Sequence, residues 1–92
     1  MNQNQDNYKR TFMASSELFS GFKVEIPITQ VDSINEIINY FVNKLTTVLE
    51  ENNFENLLLK LNNNKLFHIH GVSIEDILTS NPDRIFYLCD HC

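Results

Sequence analysis

The segment SINEIINYFVNKLTTVLEE, residues 33–51, decides the fold of this chain. Its apolar residues recur at spacings of three and four, which is the pattern of an amphipathic helix with one buried face. Ser33 and Glu36 match a capping box, so the helix is predicted to begin there. The predicted core positions along it are Ile34, Ile37, Ile38, Phe41, Leu45, Val48 and Leu49.

Shorter patterns on either side of this helix complete a mixed fold. Alternation of apolar and polar residues is typical of a strand with one buried face, and renewed spacing of three and four is typical of a further helix. The predicted strands cover residues 22–28, 66–70 and 85–89, and the further helices cover residues 54–61 and a short segment opened by Ser73 and Asp76. The sequence therefore predicts a single small α+β domain in the order β-α-α-β-α-β, with a sheet of about three strands packed by one long amphipathic helix.

The first 20 residues form a polar candidate arm, ahead of a domain over residues 21–92. Two alternatives stay open for this arm: a partly ordered tail, or an extra strand or short helix that docks on the domain or on a partner. Its basic pair, Lys9 and Arg10, is expected to lie in solvent. Its apolar side chains are the candidate interaction residues, namely Tyr8, Phe12, Leu18 and Phe19.

The composition is that of a small globular protein with an acidic surface. The 92 residues are 42% hydrophobic, and seven basic against twelve acidic residues give a net charge of −5. The negative balance argues against a general nucleic-acid binder and against an anionic membrane surface as partner. No stretch approaches the roughly 18 apolar residues of a membrane span, and the polar start shows no export signal. We therefore expect a cytoplasmic protein in a reducing compartment, with its two cysteines as thiols or metal ligands rather than a disulfide.

All the histidines and cysteines of the chain fall in its last quarter. His68 and His70 form one close pair, and Cys89 and Cys92 form a second pair with His91 between them. Two pairs of nitrogen or sulfur ligands at this separation can close over one zinc ion, which prefers a tetrahedron of such ligands. The sequence therefore predicts a zinc site here, with the fourth ligand open between His91 and Cys92.

Strand geometry sets a condition on this site. If the two predicted strands that carry these residues are neighbours with their apolar side chains inward, His68, His70 and Cys89 share the opposite face. The other register buries Cys89 and removes the site. Two further interpretations stay open: histidines on an ordinary solvent-facing strand beside an exposed thiol tail, and a redox dithiol made by Cys89 and Cys92.

Three short segments of the second half carry a resemblance to known proteins: FHIH (residues 67–70), IEDIL (74–78) and YLCDHC (87–92). The segment FKVEIP, residues 22–27, adds a looser similarity. Together they resemble a group of small, functionally uncharacterised proteins of large nucleocytoplasmic DNA viruses. The resemblance implies a viral protein, and it carries over neither an activity nor a catalytic residue.

The functional prediction is a non-enzymatic protein–protein interaction module, viral in origin, with zinc as a candidate stabilising ion at the histidine–cysteine cluster. Its expected partner is another protein or a second copy of the chain, located in the host cytoplasm or the virion. Two alternatives stay open. One is a thiol–disulfide redox protein that uses Cys89 and Cys92, and the other is a structural component of the virion.

Overall fold

A computed structural model describes residues 8–63 and 67–89. The elements found there confirm the predicted α+β class. In chain order they are strand β1 (Lys9–Ala14), strand β2 (Lys23–Pro27), helix α1 (Ile34–Glu51), helix α2 (Glu55–Asn63), helix α3 (Ile74–Leu78) and strand β3 (Ile85–Leu88). A single 3-10 turn, Ile28–Gln30, leads from β2 towards α1.

The three strands form one mixed sheet in the order β2-β1-β3. Strand β1 pairs with β2 in antiparallel register, from Lys9 opposite Pro27 to Met13 opposite Lys23. On its other side β1 runs parallel to β3, with Thr11 opposite Ile85. A parallel pair needs a long crossover, and here the crossover contains all the described helices.

Strand β1 changes the interpretation of the polar arm, because Lys9–Ala14 is the central strand of the sheet. Phe12 and Phe19 are both buried in the core, and the Phe12 ring stacks on Phe86 with centroids 5.4 Å apart. Phe12 and Phe19 therefore pack in the core of the domain, which corresponds to the alternative in which the arm docks on the domain as an extra strand. A boundary between arm and domain at residue 21 separates β1 from the sheet that it organises.

Helix α1 follows its predicted span closely. Ser33 is the N-cap, and its hydroxyl oxygen accepts a hydrogen bond from the backbone N–H of Glu36 at 3.3 Å. The Glu36 carboxylate accepts from the N–H of Asp32 instead of that of Ser33, so only half of the capping box forms. Four of the seven predicted core positions are fully buried, two are partly buried, and Val48 is the exception because it lies beside an open groove.

Of the predicted strand over residues 66–70, the structure describes 67–70, and these form a single bridge in which His68 pairs with Cys89 just beyond the end of β3. Phe67 is buried, and its ring lies 5.4 Å from that of Phe41 on α1. The alternation of residues 67–70 therefore predicts correctly which side chains point inward. It does not predict that a full ladder forms, since pairing depends on a distant partner strand.

Arg10 is buried, contrary to the expectation that it lies in solvent. Its Nε donates hydrogen bonds to the carbonyl oxygen of Ile77 at 3.1 Å and to the hydroxyl of Ser80 at 3.0 Å. Its Nη2 donates to the carbonyl oxygen of Leu78 at 3.3 Å. These carbonyls lie at the end of helix α3, where the N–H and hydroxyl of Ser80 also donate to that of Ile77, so the guanidinium completes the helix end and fixes α3 to β1.

Candidate functional site

The histidine–cysteine cluster is held by backbone pairing at the end of the sheet. The N–H of His68 donates to the carbonyl oxygen of Cys89 at 2.8 Å, and the N–H of Cys89 donates to that of His68 at 3.0 Å. Residues that exchange both bonds lie directly opposite each other, and their side chains leave the same face with Cβ atoms about 4.5–5.5 Å apart. The structure thus meets the condition that places His68 beside Cys89.

His70 lies on the same side as His68. The centroids of their two imidazole rings are 5.7 Å apart, and both side chains are exposed. In β3 the buried side chains are Phe86 and Leu88, so Cys89 points to the outer face of the sheet. This is the register that assembles the three side chains; the alternative would have buried Cys89.

The sulfur of Cys89 is in a disulfide, in contrast to the thiol or metal ligand expected from the sequence. A disulfide sulfur cannot serve as a thiolate ligand. Within residues 8–63 and 67–89, no three His, Cys, Asp or Glu side chains are arranged to hold one metal ion. The other two predicted ligands, His91 and Cys92, lie outside the described residues.

A second candidate site is an apolar groove of about 320 Å³ between the β1–β2 connection and the end of α1. Three large apolar side chains beside it are unusually exposed: Leu18 at 37%, Val48 at 37% and Phe54 at 50%. Its remaining lining comes from Phe19, Ser20, Gly21, Phe22, Leu45, Leu49 and Leu57. Two of the predicted interaction residues line the groove, Leu18 with an exposed side chain and Phe19 with a buried one, whereas Tyr8 is exposed elsewhere.

The end of helix α1 sets the position of Phe54 in this groove. Asn53 adopts a φ of 60°, which an asparagine tolerates better than most residues. The N–H of Phe54 donates to the carbonyl oxygen of Leu49 at 2.9 Å, and the N–H of Asn53 donates to that of Glu50 at 3.2 Å. These two bonds define a Schellman motif, in which the residue after the left-handed position turns back to contact the last turn of the helix.

Sequence periodicity alone treats Val48 and Phe54 as ordinary core positions. Both follow the apolar spacing of their predicted helices. That spacing indicates which side of a helix is buried, but it does not indicate how far along the helix other elements pack against that side. The available signal was the pair Asn52-Asn53, which breaks the helix and redirects Phe54. The groove therefore could not be predicted from a sequence motif, because it forms only where the folded elements pack together.

Helices in the described part of the chain lack the length and apolar character needed to cross a membrane. The sequence matches no protein-family model, and neither the curated proteins nor the solved structures include a match. Functional inference therefore rests on the groove and on the histidine–cysteine cluster.

Proposed function

We propose that this protein is a non-enzymatic interaction module whose groove binds an apolar, basic-flanked segment of a partner protein. The observation that carries the proposal is the clustering of Leu18, Val48 and Phe54, all large and all exposed, around one groove. Contiguous exposed apolar surface marks interaction sites more often than scattered apolar residues do. Fully burying one such side chain contributes about 1.5–3 kcal/mol, so a partner that covers all three gains substantial binding energy.

The lining of the groove favours binding over catalysis. Its described lining residues are apolar side chains, Gly21 and Ser20, and none of them carries a titratable group. General acid–base catalysis needs a positioned group that exchanges protons near the working pH. The groove offers surface and shape, which are what a docking site for a peptide segment requires.

Charge around the groove supports a partner with basic flanks. Glu17 precedes Leu18, Glu55 follows Phe54, and Glu51 ends helix α1, and all three carboxylates are exposed. Lys44, one turn before Val48, is the basic residue on this side of α1. The acidic balance, together with the net charge of −5, favours a segment with apolar anchors between lysine or arginine residues.

A synthetic peptide pair tests this proposal with the full chain. Both peptides carry the same leucine anchors at helical spacing, and one is flanked by lysines where the other is flanked by glutamates. We expect the lysine-flanked peptide to bind more tightly in isothermal titration calorimetry and to weaken as salt rises. Phe54→Ala should lower its affinity by about tenfold or more, as expected for a central aromatic anchor.

Leu59→Ala provides the matched control, because Leu59 is a 61% exposed leucine of α2 that does not line the groove. It should leave peptide affinity unchanged. Equal losses in both variants, or no binding of either peptide, would overturn the proposal. A dimer in sedimentation equilibrium that dissociates in Phe54→Ala would replace the basic partner with a second copy of the chain.

A thiol–disulfide redox function is the second candidate. One observation favours it: Cys89 is disulfide-bonded and lies on the outer face of the sheet. This candidate requires that the wild-type protein, first reduced with dithiothreitol and freed of it, reduces a test disulfide as its own disulfide re-forms, and that Cys89→Ser treated in the same way does not.

A further inference from the structure

We infer that the exposed end of the sheet is a redox-gated zinc site, formed by His68, His70 and Cys89 once the disulfide of Cys89 is reduced. This inference is independent of the groove. Two imidazoles already stand side by side in the structure, and the backbone pair holds the cysteine opposite one of them. While Cys89 is in its disulfide, the described residues contain no set of three metal ligands, and reduction would supply a thiolate beside the two imidazoles.

The spacing between these side chains suits one zinc ion. Zinc binds imidazole nitrogen at about 2.0–2.1 Å and thiolate sulfur at about 2.3 Å, so two ligands of one ion lie roughly 3–4 Å apart. Cβ atoms about 4.5–5.5 Å apart, as in the pair of His68 and Cys89, let a ring nitrogen and a sulfur converge to that distance. The centroid of the His70 ring lies 5.7 Å from that of the His68 ring, so His70 is near enough to supply a second nitrogen ligand to the same ion.

The backbone supports this arrangement before any metal arrives. Phe67 is buried and anchors the histidine segment to the core beside Phe41, while the two hydrogen bonds of the bridge fix its register. The ligands therefore project from positions that packing already determines. A site supported in this way loses less conformational entropy on binding than one that must order a free loop.

Three protein ligands leave a fourth coordination position. His68 and His70 are exposed, so this position faces solvent rather than the core. Zinc sites with three protein ligands and an open position bind water or an incoming ligand, whereas closed four-ligand sites are structural. The fourth ligand of the inferred site is therefore water, an incoming group, or one of His91 and Cys92, which lie outside the described residues.

The gating reaction is disulfide exchange with a dithiol. The S–S bond to Cys89 breaks, and the sulfurs of that bond leave as thiols that take up two protons. The dithiol supplies two electrons and those two protons and closes as its own disulfide. When zinc binds, the Cys89 thiol releases its proton to the buffer and forms a zinc–sulfur bond.

The direct test is titration of the full chain with zinc, before and after treatment with dithiothreitol and anaerobic removal of that reagent. We expect one zinc per chain in the reduced protein, and much weaker binding in the oxidised protein. Cobalt(II) in place of zinc should give a near-ultraviolet charge-transfer band in the reduced protein only, which reports a metal–thiolate bond.

Substitutions assign the ligands. His68→Gln and His70→Gln alter exposed side chains, so both variants should fold normally. Each should lower zinc affinity by more than the roughly 10–100-fold that loss of an outer-shell partner costs. Cys89→Ser should abolish the cobalt band. Glu75→Gln, which alters an exposed carboxylate in the first turn of α3, should change nothing.

Two results would overturn the inference. One is equal zinc affinity in the oxidised and reduced proteins. The other is wild-type affinity in both histidine variants while Cys89→Ser fails to bind, which would place the metal elsewhere. Phe54→Ala should retain full zinc binding, so failure at this site and failure of the groove are distinguishable.

Discussion

Helix α1 presents one apolar stripe to two different surroundings. Its first half lies over the sheet, where Phe41 is fully buried between the rings of Phe22 and Phe67, each 5.4 Å away. Two turns later the same stripe reaches Val48, which is 37% exposed because the groove is open there. Phe41 stabilises the fold, as do the buried Leu45 and Leu49 further along, whereas Val48 at the open edge of the stripe is accessible to a partner. An apolar stripe thus serves stability or recognition according to what covers it.

Substitutions at the two ends of the stripe should show the largest contrast. Phe41→Ala creates a cavity between the rings of Phe22 and Phe67, and we expect it to lower the free energy of unfolding by about 3–5 kcal/mol. Val48→Ala removes surface that solvent already reaches, and its effect should stay below about 1 kcal/mol. Urea denaturation followed by circular dichroism measures both. Similar midpoints for the two variants would remove the distinction between the covered and the open parts of this stripe.

A second contrast, between a buried and an exposed side chain, concerns arginine, and Arg10 is the buried member of the pair. Arg10→Met retains most of the apolar stem but removes the donors to the carbonyl oxygens of Ile77 and Leu78. We expect a loss of about 1–3 kcal/mol, because the end of α3 loses hydrogen bonds from a charged donor, although the carbonyl of Ile77 retains those from Ser80. Thermal unfolding provides the measurement.

Arg84→Met is the matched control for Arg10, since Arg84 is exposed and its guanidinium carbon lies over the ring of Phe86 at 4.6 Å from the centroid. It should change the melting temperature much less than Arg10→Met does. If Arg10→Met and Arg84→Met have the same melting temperature, the hydrogen bonds of Arg10 add no stability to that provided by packing of its apolar stem.

The smallest expected effect concerns the exposed cap of α3. The Ser73 backbone N–H, followed by the Ser73 hydroxyl, holds the pKa of Asp76 below its ordinary value of 3.8 by hydrogen bonding the carboxylate, and the charge of Arg84 adds to this. A pKa lowered in the folded state stabilises the protein above the unfolded value, and that gain is lost as pH falls through the folded value.

Asp76→Asn tests this pH dependence. The wild type should melt slightly above the variant near neutral pH, and the two should converge as pH falls below 3.8 and through the folded value. A difference in melting temperature that persists unchanged into strong acid would contradict the role of the charged carboxylate.

The helices of this fold were predictable because the signals that define them are local. Ser33 and Ser73 each cap a helix at the position that the sequence indicates, and the periodic residues follow within one element. Strand β1 was not predictable by the same means. Arg10 occupies a buried position, so the alternation that identifies a half-buried strand begins with a charged residue, and its partners are carbonyls of a distant helix.

The same contrast between local signals and distant partners applies to the candidate sites. The shared face of His68 and His70 follows from alternation, whereas the position of Cys89 opposite His68 depends on strand pairing and on a register that stayed open at the level of sequence. The oxidised state of Cys89 and the exposure of Val48 do not follow from alternation, since the first depends on redox chemistry and the second on where the covering sheet ends. Which apolar side chains remain exposed depends on packing, and packing joins residues that are far apart in the chain.

The parallel pairing of β1 with β3 has a consequence for how the chain reaches this structure. The antiparallel partner of β1 follows it closely in sequence, so that hairpin closes a short loop, whereas Thr11 meets Ile85 only after nearly the whole chain has been gathered. The entropy of closing so long a loop makes this contact late and slow. Until β3 arrives, one side of the central strand is an unpaired edge, and it is the surface most exposed to misassembly with another chain.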